Sequence, residues 1–183
     1  MRLLVGLSGN LNRPSRTRVL VEAIASQVVS RGGWRSECFD VLDAGPALGA
    51  TFSKDAAAPE HRSVWDKIAA CDAIVVGSPV YKASYTGLLK HFFDLLEPTL
   101  LAGKPIIVCA TAKAPHHALM IDHQFRPLFA FFGSWIVPTG IFATDADFRS
   151  PENLGDGLSA KISKAAEELR FHFAHELNSP KLG

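Results

Sequence analysis

Net charge is nearly absent from this 183-residue chain, in which 19 Lys and Arg residues stand against 18 Asp and Glu residues for a formal charge of +1. A chain so close to neutral has no bulk electrostatic attraction for nucleic acid or for an anionic membrane surface. It also contains no apolar run of the roughly 20 residues that a membrane-spanning helix needs. We therefore expect no nucleic-acid partner and no membrane partner, and any anion site must depend on local basic residues.

Cysteine is scarce as well. Cys38, Cys71 and Cys109 are odd in number and lack metal-ligand spacing, and each lies in or beside a run with strand character. We expect buried, reduced thiols. The N-terminal apolar run is too short for a signal peptide, and no small-residue cleavage site follows it. These absences predict a cytoplasmic protein.

Apolar, β-branched runs alternate with helical patterns, which is typical of βαβ units around a parallel sheet. Strands are predicted at residues 2–7, 35–40, 73–77, 105–110 and 136–142, and helices at 15–30, 60–70, 85–96, 116–132 and 153–177. With 48% hydrophobic residues, the chain is predicted to form a single domain over 1–183. We predict an α/β fold: a flavodoxin-like doubly wound five-stranded parallel sheet, order 2-1-3-4-5, with helices on both faces. Its ligand would bind beyond the carboxyl ends of the strands, where loops 8–14, 78–84 and 111–115 meet.

The loop after the first strand, residues 8–18, is small and polar and leads into a helix. It matches neither Gly-x-Gly-x-x-Gly nor Gly-x-x-x-x-Gly-Lys-Ser/Thr, so the dinucleotide and triphosphate signatures are absent. Ser15 is a candidate N-cap, and the amides of a helix's first turn carry a partial positive charge that suits a phosphate monoester. A solvated helix start with ordinary surface arginines is the alternative. The candidate phosphate ligands are Ser8, Arg13, Ser15, Arg16 and Thr17.

A second loop follows the buried run 73–76, which Gly77 and Pro79 end. Pro79 has no N–H and biases Ser78 toward an extended conformation. The next residues, 80–82, should turn away from the sheet with their amides available. Such amides could bond the edge of a flat ring, which makes a flavin the expected ligand.

The stretch Gly77-Ser-Pro-Val-Tyr-Lys-Ala-Ser-Tyr-Thr-Gly87, followed by Leu88-Leu-Lys-His-Phe-Phe-Asp-Leu-Leu96, resembles the NAD(P)H-dependent FMN reductase family. Within that family the chain is most similar to the reductases of two-component alkanesulfonate or methanesulfonate monooxygenase systems, over about residues 2–173. The resemblance implies that the first loop binds the FMN phosphate. It also implies that Pro79, Val80 and Tyr81 lie along the isoalloxazine edge, although Tyr81 could instead be a plain packing aromatic. For Lys82, a phosphate contact, a subunit contact and plain solvation stay open.

The loop after the fourth strand departs from the family. Many relatives have a Thr-Gly-Gly-like turn there, whose glycines let the backbone approach the ring. Here the sequence continues from Thr111 through Ala112 and Lys113 to Pro115. Either this loop takes another conformation, or Lys113 brings a positive charge near the flavin, where it would favour the anionic reduced form.

The segment 116–132 is strongly apolar, and Pro127 should bend it. Its apolar side chains point in more than one direction, which predicts a subunit interface of a homodimer or homotetramer. In the resembling reductases this helix forms the oligomer interface and can carry an inserted tyrosine beside the flavin; the equivalent residue here is His123, which could instead simply pack at the interface. A metal site is not expected, because His116 and His123 are two turns apart and Asp122 points elsewhere.

Hydride transfer between two cofactor rings needs stacking and close approach more than a side-chain acid or base, so we name no catalytic residue. The resemblance implies an enzyme that reduces FMN with NADPH or NADH and supplies reduced flavin to a flavin-dependent monooxygenase. The first alternative is an FMN-containing NAD(P)H quinone or azo reductase. The second is a flavodoxin-like electron carrier or a non-enzymatic flavin-binding protein.

Overall fold

A parallel sheet organises the computed structural model, which describes residues 1–150 and 153–176. The strands are β1 (Arg2–Ser8), β2 (Trp34–Asp40), β3 (Ala73–Pro79), β4 (Pro105–Ala112), β5 (Trp135–Ile136), β6 (Ile141–Thr144), β7 (Phe148–Ser150) and β8 (Asn153–Leu154). The α-helices are α1 (Arg16–Val29), α2 (Pro59–Ala70), α3 (Gly87–Asp94), α4 (Arg126–Phe131) and α5 (Asp156–Glu176). Within the described ranges, no helix combines the length and apolarity needed to cross a membrane.

The strand order is β2-β1-β3-β4-β5, and every neighbouring pair in this sheet is parallel. The predicted order 2-1-3-4-5 is therefore confirmed. Side chains alternate between the two faces along each strand, as the two-residue period of a strand requires. One face packs against α2, α3 and α4, and the other packs against α1 and α5. The predicted helices on both faces are thus present.

Helix α1 packs against the sheet where two strand positions opposite it are glycines. A Cβ at Gly77 would lie 2.6 Å from a Val21 methyl carbon and 2.7 Å from the Cys109 sulfur. A Cβ at Gly6 would lie 2.7 Å from the Cys38 sulfur and 2.8 Å from the other Val21 methyl carbon. There is therefore no room for a side chain at either glycine between α1 and the sheet.

The predicted fifth strand, 136–142, is wrong as one continuous element. Its sheet position is filled by β5 and β6, which pair in turn with the two ends of the long strand β4. Between them Pro138 has no amide to donate, and its carbonyl accepts a 2.6 Å hydrogen bond from Arg126. The amide and the hydroxyl of Thr139 both donate to Glu168 at 2.8 Å. Helices on both faces therefore hold this interruption in place.

The predicted helix 116–132 is also divided. It consists of a 3₁₀ turn (Pro115–His117), a π-helical turn (Ile121–Phe125) and the short helix α4. The amide of Arg126 donates to the Ile121 carbonyl, five residues back, immediately before Pro127. Because proline cannot donate an amide and crowds the preceding turn, the extra residue of the π turn accommodates it without a break.

Two helix starts were predicted too early. Helix α3 begins at Gly87 rather than at residue 85, because Thr86 caps it by accepting a hydrogen bond from the Leu89 amide. The last helix begins at Asp156, because Asn153 and Leu154 form β8, which pairs with β7. The predicted end of that helix, residue 177, lies outside the described residues.

Candidate active site

The loops after β1, β3 and β4 meet at the carboxyl edge of the sheet and enclose a cleft of about 610 Å³. This volume lies within the usual range of small-molecule sites. The lining residues are Asn10, Leu11, Asn12, Pro14, Ser15, Arg16, Thr17, Pro79, Val80, Tyr81, Thr111, Ala112, Lys113, Ala114, His116, His117 and Asp145. Nine of the predicted site residues are therefore brought together: Ser15, Arg16, Thr17, Pro79, Val80, Tyr81, Thr111, Ala112 and Lys113.

The start of α1 forms one end of the cleft. Ser15 is the N-cap, and its hydroxyl oxygen accepts a hydrogen bond from the Arg18 amide at 3.4 Å. Arg16 and Thr17 are the first two residues of the helix, so their amides have no acceptor within it. The hydroxyls of Thr17 and Thr111 share a hydrogen bond of 2.6 Å, which ties the helix start to the end of β4. An anion here would meet first-turn amides on a rigid base.

The guanidinium groups near this end are already paired with carboxylates. Arg16 lies 2.6 Å from Asp145 across the cleft. Arg13 and Arg18 both contact Asp40, which is fully buried. These carboxylates offset the positive charge of the arginines, so the amides of the helix start carry the local attraction for an anion.

Ser8 and Arg13 do not line the cleft. Ser8 is buried and donates a 2.5 Å hydrogen bond to the Asn10 side chain. Arg13 is directed to Asp40 and Asp43. Ser8 therefore reaches the cleft only through Asn10, and Arg13 is bound to two carboxylates outside the cleft lining.

The loop after β3 is fixed to its neighbours through two buried hydroxyls. The Ser78 hydroxyl accepts a hydrogen bond from the Thr86 amide at 3.0 Å and donates to the Pro79 carbonyl at 2.9 Å. The Thr86 hydroxyl donates to the Gly9 carbonyl at 2.7 Å. The wall of the cleft at Pro79 is thus attached both to α3 and to the first loop.

The expectation that residues 80–82 offer free amides is wrong for two of the three. The Val80 amide donates to the Thr111 carbonyl at 2.8 Å, and the Tyr81 amide donates to the Ser84 carbonyl at 2.8 Å. The Ser84 amide returns a bond to the Tyr81 carbonyl, so residues 81–84 form a tight turn. Lys82 and Ala83 have φ angles of 50° and 67°, in the left-handed region. Lys82 is exposed and does not line the cleft.

His123 lies in the π-helical turn, away from the cleft of its own chain. It lines an apolar groove of about 470 Å³ together with Tyr85, Leu128 and Phe131. Within residues 1–150 and 153–176, no group of three or more His, Cys, Asp and Glu side chains could hold a metal ion.

Sequence reasoning missed part of the cleft. Asp145 directly follows β6, and its position at the carboxyl end of a strand in the sheet was the available signal. His116 and His117, with ring centroids 4.0 Å apart, occupy the cleft rim where a helix had been predicted to begin. Asn10 is directed by buried hydrogen bonds that no local pattern reveals.

The chain is similar to known proteins in both sequence and fold. A family model described as NADPH-dependent FMN reductase matches residues 1–149. FMN reductase (NADPH) of Pseudomonas aeruginosa is 40% identical over 164 residues, which cover 90% of this chain and 88% of that protein. NADH-dependent FMN reductase SfnF of Pseudomonas fluorescens is 39% identical over 164 residues, which cover 90% of this chain and 88% of that protein. The apo crystal structure of an NADH:FMN oxidoreductase, EMOB, superposes with a TM-score of 0.84 at 30% identity, covering 94% of this chain and 90% of that one.

The strand order and the cleft at its switch point define a flavodoxin-like α/β protein with a small-molecule cleft. The chain belongs to the NADPH-dependent FMN reductase family. It is an oxidoreductase that uses FMN and NAD(P)H, which confirms the predicted family, activity and cofactors.

Proposed function

We propose that this FMN reductase releases its reduced flavin to a flavin-dependent monooxygenase rather than retaining it. The observation that carries the proposal is that Arg13, Arg16 and Arg18 are all paired with carboxylates. A phosphate held by amides and a hydroxyl, without an unpaired guanidinium, is bound less tightly than one clamped by charge-assisted bonds. Modest affinity suits a flavin that enters oxidised and leaves reduced.

The phosphate of FMN is proposed to lie at the start of α1, against the amides of Arg16 and Thr17 and the hydroxyl of Ser15. The isoalloxazine ring then lies along Pro79, Val80 and Tyr81, in the part of the cleft that Lys113 also lines. FMN supplies the hydride chemistry, and the chain's residues hold and orient the ring for the nicotinamide. No side chain is assigned as an acid or base.

Ser15→Ala tests this placement. Loss of the hydroxyl removes both the cap of α1 and one donor to the phosphate, so FMN affinity should fall by about fivefold to tenfold. Riboflavin has no phosphate, and its affinity should change little. Flavin fluorescence titrations of both ligands measure the ratio. Equal losses for FMN and riboflavin would contradict the placement.

We also propose that the chain is a homo-oligomer, a dimer or tetramer, through the groove beside the π-helical turn. Phe131 lines this groove and is 72% exposed, and Leu119 on the same segment is 62% exposed. Contiguous exposed apolar surface is typical of protein–protein interfaces. In such an assembly His123 would approach the cleft of a neighbouring copy. Replacing it with alanine should then change the rate of flavin exchange or the size of the oligomer.

A cytoplasmic location is part of the proposal, because the reduced nicotinamide pool is intracellular and the three cysteines are unpaired.

The deciding experiment for function follows the oxidation of NADH or NADPH while free FMN is titrated, with and without a quinone. Saturation by FMN without any need for quinone supports the flavin supplier. Dependence on quinone with retained FMN would favour the quinone or azo reductase, and flavin binding without nicotinamide oxidation would favour a carrier.

A further inference from the structure

A buried carboxylate stands behind the phosphate end of the cleft. The side chain of Asp40, the last residue of β2, has no exposed surface. It accepts hydrogen bonds from Arg13 Nε at 2.7 Å, Arg13 Nη2 at 2.6 Å, Arg18 Nη1 at 3.0 Å, Asn10 Nδ2 at 3.2 Å and the Leu42 amide at 3.0 Å. An ionised carboxylate this deeply buried is tolerated only when its oxygens are fully bonded, as they are here.

The donors come from both ends of the loop that precedes α1. Asn10 lies at the start of the loop and lines the cleft, whereas Arg18 lies in the first turns of the helix. Arg13 lies between them, so one carboxylate holds three points of the same segment. Asp43 strengthens the arrangement by accepting from Arg13 at 2.5 Å and from the Asp40 amide at 2.9 Å.

This cluster has no excess positive charge. Two guanidinium groups face the carboxylates of Asp40 and Asp43, and Glu22 also pairs with Arg18, so the cluster presents no net positive charge to a ligand. Burial by itself opposes ionisation of Asp40, but the hydrogen bonds from Arg13, Asn10 and Arg18 outweigh it and lower the pKa of the carboxyl. A negative group cannot bind a phosphate, so its contribution must be to the shape of the loop.

We propose that Asp40 is a positioning residue for FMN: it holds the loop 10–15 so that Ser15 and the first-turn amides of α1 face the phosphate. In this role Arg13 supports the loop and is not itself a phosphate ligand. The proposal rests on the placement of the phosphate given above. Strand β2 contributes no residue to the cleft lining, so the proposal adds to the determinants of FMN affinity a residue that lies outside the cleft.

Asp40→Asn tests the proposal because asparagine keeps the size of the side chain but cannot match the charge of two guanidinium groups. FMN affinity should fall by about tenfold, since several charge-assisted bonds are weakened together. Riboflavin affinity and kcat at saturating FMN should stay close to the wild-type values. The matched control is Glu22→Gln, which removes a carboxylate 2.8 Å from Arg18 without touching the loop. Its FMN affinity should stay within about twofold of wild type, as expected for an exposed ion pair.

Two outcomes would overturn the inference. If Arg13 were a phosphate ligand restrained by Asp40, Asp40→Asn would free it, and FMN affinity would rise or stay constant. If Asp40 only stabilised the fold, FMN and riboflavin affinities would fall together with the melting temperature. A wild-type protein that binds riboflavin as tightly as FMN would instead refute the phosphate placement itself, whatever the variants do.

A second pair of variants keeps the test decisive if Asp40→Asn does not fold. Arg13→Gln and Asp43→Asn change side chains that are 48% and 31% exposed. If both act through one supporting cluster, each should lower the ratio of FMN to riboflavin affinity, and the double variant should lose no more than the more severe single one. Additive losses, or a loss confined to Arg13→Gln, would return Arg13 to the role of direct ligand.

Discussion

The three cysteine thiols are the simplest residues to interpret individually. Burial raises the pKa of Cys38 and of Cys71 to about 11, and it also raises the pKa of the fully buried Cys109. None forms a disulfide. The sequence predicted buried, reduced thiols, and the structure places Cys71 and Cys109 in the core but leaves Cys38 partly accessible at the edge strand β2.

These thiols should resist alkylation in the native state. Because the thiolate is the nucleophile and its population stays small until the pH nears 11, iodoacetamide at pH 8 should modify the folded protein far more slowly than the protein in urea. As the pH rises, Cys38 should react first. Mass spectrometry of the alkylated peptides measures each site. Rapid labelling of Cys109 in the folded protein would show that strand β4 is accessible to the reagent, which contradicts its burial.

At the residue scale, side-chain type and position in the chain indicated which residues gather at the cleft, but not what each one contacts. Ser15 was correctly predicted as the N-cap, because serine before a helical pattern has a local cause. The partner of Arg13 was not predicted, because Asp40 lies 27 residues away along the chain. The sequence around an arginine in such a loop is the same whether the guanidinium contacts the ligand or a carboxylate behind the loop.

At the scale of elements, the packing of α1 on the sheet leaves no room for an added methyl group at Gly77. Gly77→Ala should destabilise the protein by about 1–3 kcal/mol, because the new Cβ would overlap Val21 and Cys109 in the packed core. Urea unfolding measures the change. The matched control is Gly87→Ala at the start of α3, where a Cβ meets nothing within 4 Å. That control should be neutral or stabilising by up to about 1 kcal/mol, since alanine favours the helix.

In the tight turn 81–84, a residue other than glycine occupies a position where the backbone conformation favours glycine. Ala83 has a φ of 67°, a region that costs a residue with a side chain about 1–2 kcal/mol. Ala83→Gly should therefore stabilise the protein by about 0.5–1 kcal/mol after the greater freedom of glycine in the unfolded chain is subtracted. Thermal unfolding at matched concentration measures it. A lower melting temperature would show that the alanine methyl group makes a contact that outweighs the strain.

The sequence predicted the strands β1 to β4 well, because continuous β-branched runs are a local signal of buried parallel strands. It failed at the fifth strand and the fourth helix, and both failures involve proline. Pro138 ends β5 while Arg126 and Glu168 hold the adjoining backbone, and Pro127 is accommodated by a π turn. A proline in a sequence indicates an interruption, but neighbouring elements decide whether the chain breaks, bends or widens its helix.

At the scale of the whole molecule, the proposed assembly depends on the segment 116–132. The segment 116–132 was predicted to have more apolar surface than one sheet could cover. Five of its large apolar side chains are buried in the chain's own core: Met120, Ile121, Phe125, Phe129 and Phe132. Leu119 and Phe131 remain exposed, so any interface depends on few side chains beside the groove.

Phe131→Glu should therefore dissociate the proposed oligomer, because it places a charge in an apolar contact that a second copy would have to desolvate. Light scattering after gel filtration measures the mass. Phe52→Glu is the matched control, since Phe52 is 84% exposed and lies outside the groove. Loss of the oligomer in both variants, or in neither, would refute an interface at this groove.

The sequence by itself determined the first four strands, the parallel order, the cleft at the carboxyl ends and the membership of the FMN reductase family. These follow from local apolar periodicity and from motifs continuous in the chain. Only the tertiary structure decided which groups remain available at the cleft. The Val80 amide is occupied by Thr111, and the Arg13 guanidinium is occupied by Asp40. Hydrogen-bond donors pair with the acceptors that folding brings nearest, and the local sequence does not predict which acceptors these are.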